Sequence, residues 1–138
     1  MDRDKFVSLL NEDLASEFAS IVQYVQHTST ITGPEYMNLI DEIKLHLGQE
    51  LQHAITLSEQ IAFLGGTPTT SVSNVVSTSD SREALEADLQ LERSQLERYR
   101  ERAGQATELG LADVAEALRP LLEQTQEHVR DLETGLGR

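Results

Sequence analysis

The sequence predicts an all-α fold, a four-helix bundle in which two helical hairpins are joined by one long crossover. Three observations predict it. Apolar residues recur at spacings of three and four through four long segments, the period that lines up one helix face. The stretch 65–80 lacks that period and separates the second segment from the third. The chain also repeats at an offset of 75 residues: Glu17, Tyr24, Glu50 and His53 return as Glu92, Tyr99, Thr125 and His128.

The first helix is expected over about 4–31, with Phe6, Leu9, Leu10, Leu14, Phe18, Ile21, Val22 and Val25 as its apolar stripe, and Gly33 and Pro34 as its end. The second, over about 35–64, begins beside Pro34, a residue suited to a first helical position, and carries Met37, Ile40, Ile43, Leu47, Leu51, Ile55 and Ile61. Gly65, Gly66 and Pro68 close it. The segment TPTTSVSNVVSTSD that follows is too long for a tight turn and reads as an extended crossover. Ser79 or Asp80 caps the third helix, about 81–109, with Glu83 in capping-box position and Leu85, Leu89, Leu96 and Tyr99 on its inner face. The fourth, about 111–136, contains Pro120, which lacks a backbone donor and predicts a bend.

The chain of 138 residues reads as one domain with one core. Its net charge of −13 disfavours nucleic acid and anionic lipid and favours cations. With no cysteine, any bound metal must sit on oxygen and nitrogen. No segment has the length of a signal peptide's apolar run or of a membrane span, so a cytoplasmic location is expected.

Glu50 and His53 are three residues apart and project from one helix face, where both can reach a single ion; His128 holds the matching place in the other half. Glu17 and Glu92 lie along apolar stripes, where an unpaired carboxylate costs several kcal/mol and a divalent cation compensates. Ion pairs are the alternative, but the chain has only 11 Lys and Arg, few of them near those stripes. Thr125 stands where the repeat calls for a carboxylate. Tyr24 and Tyr99 each follow a glutamate by two turns, in position to hydrogen-bond a ligand or to serve as plain core residues. His46, four residues before Glu50, is either an accessory cation ligand or a solvated or capping histidine, and His27 reads the same way with less reason for a ligand role.

The segments ASEFASIVQY, GQELQHA, DLQLER and EQTQEHVRDLE resemble the bacterioferritin branch of the ferritin-like superfamily, over nearly the whole chain. The resemblance implies that Glu17 and His53 hold one iron, that Glu92 and His128 hold the other, and that positions 50 and 125 carry bridging glutamates, of which Thr125 is not one. Three carboxylates leave two ferrous ions about one charge positive, which weakens the second ion or leaves one ion on Glu17, Glu50 and His53. A mixed Glu and His set suits iron, with manganese or zinc also open. Leu51 stands where the family's haem methionine would be, so no haem is expected. The family's short fifth helix has no counterpart here, and a homo-oligomer, at least a dimer, is expected rather than the family's full shell.

Three functions compete on this reading. The first is a ferroxidase using oxygen or peroxide in iron storage or detoxification. The second is a metal-binding or structural bundle with an incomplete, poorly active centre. The third is a helical interaction module whose polar core is closed by hydrogen bonds and water.

Overall fold

The computed structural model describes residues 1–138. Four helices make the bundle: α1 Arg3–Thr30, α2 Met37–Phe63, α3 Ser81–Glu108 and α4 Ala112–Gly135. Each end has a local cause. Asp2 accepts from the Lys5 amide at 2.7 Å and Asp80 from the Glu83 amide at 2.8 Å, so both hairpins begin on an aspartate cap. The Glu83 carboxylate does not complete a capping box; it accepts instead from Thr78 Oγ1 at 2.9 Å. Gly65 and Gly110, at φ of 88° and 75°, end α2 and α3 in the left-handed region. The amides of Gly66 and Leu111 then reach back five residues, to the carbonyls of Ile61 and Ala106.

One sequence expectation changes at the end of an element. Pro34 opens a short 3-10 turn, Pro34–Tyr36, and α2 starts at Met37, because Gly33 at φ 115° turns the chain sharply first. Pro120 lies inside α4, which runs through it as one helix. Pro120 lies on the exposed side, where water can satisfy the carbonyl that its missing N–H leaves unpaired.

α1 packs on α2 and α3, and α4 packs on α3 and α2. The crossover lies along α1 as a hydrogen-bonded strap. Asn11 grips both Thr67 O and the Thr69 amide, Ser73 N donates to Ala15 O, and the Val76 amide donates to Gln23 Oε1 at 2.9 Å.

The core is split into two apolar halves by a polar layer. One half contains Phe6, Leu10, Leu14, Leu57, Ile61 and Leu118; the other contains Ile43, Leu85, Leu89, Leu96 and Leu132. Burying each large side chain contributes about 2 kcal/mol, and together these halves hold the helices around groups that burial alone would expel. The expected stripes are partly relocated. Val22, Val25, Leu51, Ile55 and Met37 are exposed, because Gln23, Tyr24, His27, Glu50 and His53 occupy the inward positions next to them.

Between α1 and α3 the 75-residue repeat becomes a set of exchanged contacts. Asp13 receives Arg102 Nε at 2.8 Å and Nη2 at 3.2 Å; at the equivalent place in the other half, Asp88 receives His27 Nδ1 at 2.8 Å. The His27 Nε2–H donates to Val76 O at 3.1 Å, so this pair also fixes the strap. His27 is therefore fully buried and ion-paired, a correction to its reading as a solvated or capping residue. Burial pushes the Asp13 carboxyl up to about 6, against the opposing pull of Arg102 and Arg98.

Candidate metal centre

Each half of the chain delivers the same set of side chains to the polar layer. α1 carries Glu17 and Tyr24, α3 carries Glu92 and Tyr99, α2 carries Glu50 and His53, and α4 carries Thr125 and His128. All eight are essentially inaccessible to solvent. The structure thus brings together every residue that the sequence pattern selects for the centre.

Glu50 lies in the middle. Its Oε1 is 2.8 Å from His128 Nδ1 and its Oε2 is 3.7 Å from His53 Nδ1, so each oxygen faces a different histidine. Glu17 Oε1 is 3.5 Å from His53 Nδ1, and Glu92 Oε2 is 3.4 Å from His128 Nδ1. Two triads result, Glu17–Glu50–His53 and Glu50–Glu92–His128, each with ligand atoms within 4.8 Å of one another. Atoms sharing one ion at about 2.1 Å lie about 3.0 to 3.4 Å apart, so these spacings are close to those of ligands around a cation.

The expectation that Thr125 would spare one half-site takes a different form here. Both triads are complete and share Glu50, so a carboxylate lacking at position 125 is lacking for both alike. Thr125 is fully buried and its Oγ1 has no hydrogen-bond partner.

Unpaired groups converge on the same space. Glu17 Oε2, Glu50 Oε2, Glu92 Oε2 and His53 Nδ1 are buried without partners, and none of the three glutamates meets a lysine or arginine. Buried polar groups are almost always satisfied, so orphans at one point mark a place built for something else. The donor set of carboxylates and imidazoles fits a divalent transition metal.

The residues around the triads set their orientation. Tyr24 donates to Glu92 Oε1 at 2.5 Å, and Tyr99 donates to Glu17 Oε1. Each tyrosine therefore serves the glutamate of the opposite hairpin, not the one two turns before it on its own helix. Burial and then the nearby carboxylates push both phenols well above their ordinary range, so each keeps its proton to donate.

Two further residues belong here that periodicity does not single out. His53 Nε2–H donates to Gln124 Oε1 at 2.7 Å, and His128 Nε2–H donates to Gln49 Oε1 at 2.5 Å. An acceptor on Nε2 holds a proton there and turns Nδ1 toward the centre, the nitrogen that the neutral ring would offer to an ion. The offset between Gln49 and Gln124 is again 75 residues, a signal that applying the repeat to polar positions would have found.

Charge is strained in the metal-free centre. Burial, then the charges of Glu17 and Glu92, push Glu50 well above the carboxylate range, which favours its protonated form. Burial would raise Glu92 as well, but the neighbouring His128, the Glu50 carboxyl and the Tyr24 hydroxyl outweigh it and hold Glu92 at about 2. Three buried carboxyl groups sharing one space with no lysine or arginine beside them form an arrangement that a cation relieves.

His46 is also buried, at 3 % exposure. Its ring stacks on that of His128 with centroids 4.0 Å apart, and its Nε2 lies 2.9 Å from Asp131 Oδ2. Burial and then His128 lower its basicity, favouring the neutral imidazole.

The chain is similar to known proteins of one family. Residues 7–138 match the Ferritin family model, described as a ferritin-like domain. A bacterioferritin of Desulfovibrio desulfuricans is 29 % identical over 126 residues, covering 91 % of this chain and 70 % of the relative. A bacterioferritin of Mycobacterium leprae is 28 % identical over 129 residues, covering 93 % and 81 %. A crystal structure described as ferritin-like, diiron-carboxylate proteins from Bacillus anthracis superposes with a TM-score of 0.92 at 32 % identity, covering 99 % of each chain. No helix of the structure is long and apolar enough to cross a membrane.

Proposed function

The chain belongs to the ferritin-like domain family, and on that premise we propose that its bundle centre binds two Fe(II) ions as substrate and oxidises them with oxygen or peroxide, in iron storage or detoxification. The observation that carries this reading is Glu50, whose two carboxylate oxygens face one histidine each. A carboxylate in that position can join two ions held by Glu17 and His53 on one side and by Glu92 and His128 on the other. Two Fe(II) held together give up two electrons, the number needed to reduce oxygen to peroxide or peroxide to water. The protein's part is to fix ligand direction through Tyr24, Tyr99, Gln49 and Gln124 and to keep bulk water out. Each ion keeps open positions, since each triad supplies only three residues.

Anaerobic titration with Fe(II) followed by an oxygen pulse tests the proposal. Two irons per chain and a rapid rise in ferric absorbance are expected; one or none, with no oxidation above the rate of free iron, would overturn it. The iron-binding relatives support iron over manganese or zinc, and Leu51 offers no thioether for haem. We read the exposed Val22, Val25, Leu51 and Ile55 on the outer α1–α2 face as the contact with a second copy. A cytoplasmic setting, where iron is available as Fe(II), suits the chemistry.

Thr125 favours a second reading, in which the centre binds iron but turns it over poorly. Replacing Thr125 with glutamate separates the two. A fourth carboxylate neutralises two divalent ions and gives each one more ligand, so Thr125→Glu is expected to tighten Fe(II) binding by about tenfold or more, roughly one pairwise charge contact. If oxidation accelerates in parallel, the native centre is limited by its ligand count. Gln49→Leu and Gln124→Leu are expected to weaken binding about 10- to 100-fold by releasing a ligand histidine, measured by calorimetric titration with Co(II).

A further inference from the structure

We propose that Glu42, His46 and Asp131 form a second divalent-cation site, at the solvent end of the same two helices, through which the ion passes on its way to the centre. This rests on the reading of the centre as a cation site. The three side chains offer a carboxylate, an imidazole nitrogen and a carboxylate within 4.8 Å of one another. Their exposure falls along the route: Glu42 is exposed, the Asp131 side chain is 43 % accessible and His46 is 3 %. His46 Nδ1 is buried without a partner, so the ring retains an unused nitrogen beside the centre.

The surroundings fit an inlet for cations. An open groove of about 480 Å³ is lined by Glu35, Asp41, Glu42 and Asp131, with no lysine or arginine among its residues. A cleft of one charge sign raises the local concentration of the opposite ion. From it, Glu42, His46 and Glu50 follow one another down α2 at intervals of four residues. Each interval is about 6 Å along the helix axis and keeps the same face, which gives a carboxylate, an imidazole and a carboxylate in succession. The His46 ring is stacked on His128, a member of the inner triad, with centroids 4.0 Å apart, so the outer cluster adjoins the centre.

Asymmetry separates this cluster from the internal repeat. At the 75-residue offset Glu42 corresponds to Ala117, His46 to Leu121 and Asp131 to Thr56. Leu121 is 2 % exposed and closes the other end with an apolar side chain. Selection for the inner site does not require polar residues at one end alone. A one-sided path from solvent does.

Two measurements test the site, both on the full chain. In the first, Glu50→Gln disables the centre and Mn(II) binding is followed by electron paramagnetic resonance. About one weakly held Mn(II) per chain is expected, lost when Asp131→Asn and Glu42→Gln are added. In the second, stopped-flow absorbance follows Co(II) loading of the otherwise native centre. Asp131→Asn with Glu42→Gln is expected to slow loading at least tenfold while leaving the final amplitude unchanged. Absence of Asp131-dependent Mn(II) binding, or an unchanged loading rate, would overturn the proposal. If the native centre takes up no Co(II) at all, the reading of the centre fails instead, and the Mn(II) measurement still decides whether Glu42, His46 and Asp131 bind a cation.

Discussion

Glu50→Gln is expected to abolish cation binding at the bundle centre while leaving the metal-free protein folded and close to native stability. The two halves of this expectation have the same cause. Without metal, Glu50 is driven toward its protonated form, because burial and the flanking charges of Glu17 and Glu92 push its carboxyl well above the ordinary range. A glutamine of the same shape replaces a neutral group by a neutral group, so the apo melting temperature should move little. With metal, Glu50 is the residue common to both triads, and its loss removes one anionic ligand from each ion together. Fe(II) should then raise the melting temperature of the native protein and not that of the variant, since only a ligand that binds the folded state stabilises it. At free Fe(II) about 100 times the dissociation constant the native gain is about 2.7 kcal/mol. A variant that still takes up two irons per chain would place the ligands elsewhere. A variant that fails to fold would show that Glu50 serves as a structural acid in its own right.

The contrast between Glu50 and its counterpart shows which parts of this chain its sequence discloses. The helices and their long crossover follow from apolar periodicity and from Gly65, Gly110 and the strap composition, because those signals are local. The candidate ligand set is visible for a different reason: carboxylates and histidines recur at a constant offset, and repetition is visible even where burial is not. What escapes a local reading is the polar half of the core. Asp13, Gln23, His27, Asp88 and Arg102 are charged or amide residues on helices, the kind of residue that normally faces water. Here each is buried because its partner comes from another element, as with Asp13 and Arg102 across 89 residues of chain. Val22, Val25, Leu51 and Ile55 err in the opposite sense, being apolar yet outward-facing. Hydrophobicity alone cannot tell a core face from a face left for another molecule, whereas a polar pair exchanged between halves can be read once the offset is applied to every residue.

His27→Ala is expected to lower stability by about 3 to 5 kcal/mol, the cost of removing one partner from a buried ion pair. For a chain of this length that is about 10 °C or more in melting temperature. Both ring nitrogens of His27 face acceptors, the Asp88 carboxylate and the Val76 carbonyl, so only the doubly protonated ring satisfies both. Burial opposes that charge, but the hydrogen bond and charge of Asp88 prevail and raise His27 above its ordinary value of 6.5. Burial raises the Asp88 carboxyl as well, by more than His27 and Gln23 lower it, so part of what the pair contributes offsets the dehydration of the acid. The sign of the pH effect follows from His27. Its folded state binds the proton more tightly than the unfolded chain, so its contribution is fully present below 6.5 and is lost as pH rises through the folded value. Melting curves of metal-free protein between pH 6 and pH 9 should therefore show the gap between native and His27→Ala narrowing with pH. The equivalent pair in the other half supplies the control, because Arg102 keeps its charge throughout that range. Arg102→Ala should show the opposite trend: Asp13, already at about 6 beside Arg102, is pushed higher without it, so that gap should widen as pH rises. A His27→Ala gap that does not narrow with pH would mean that His27 is held as a neutral ring and that the strap at Val76 is fixed by Gln23 alone.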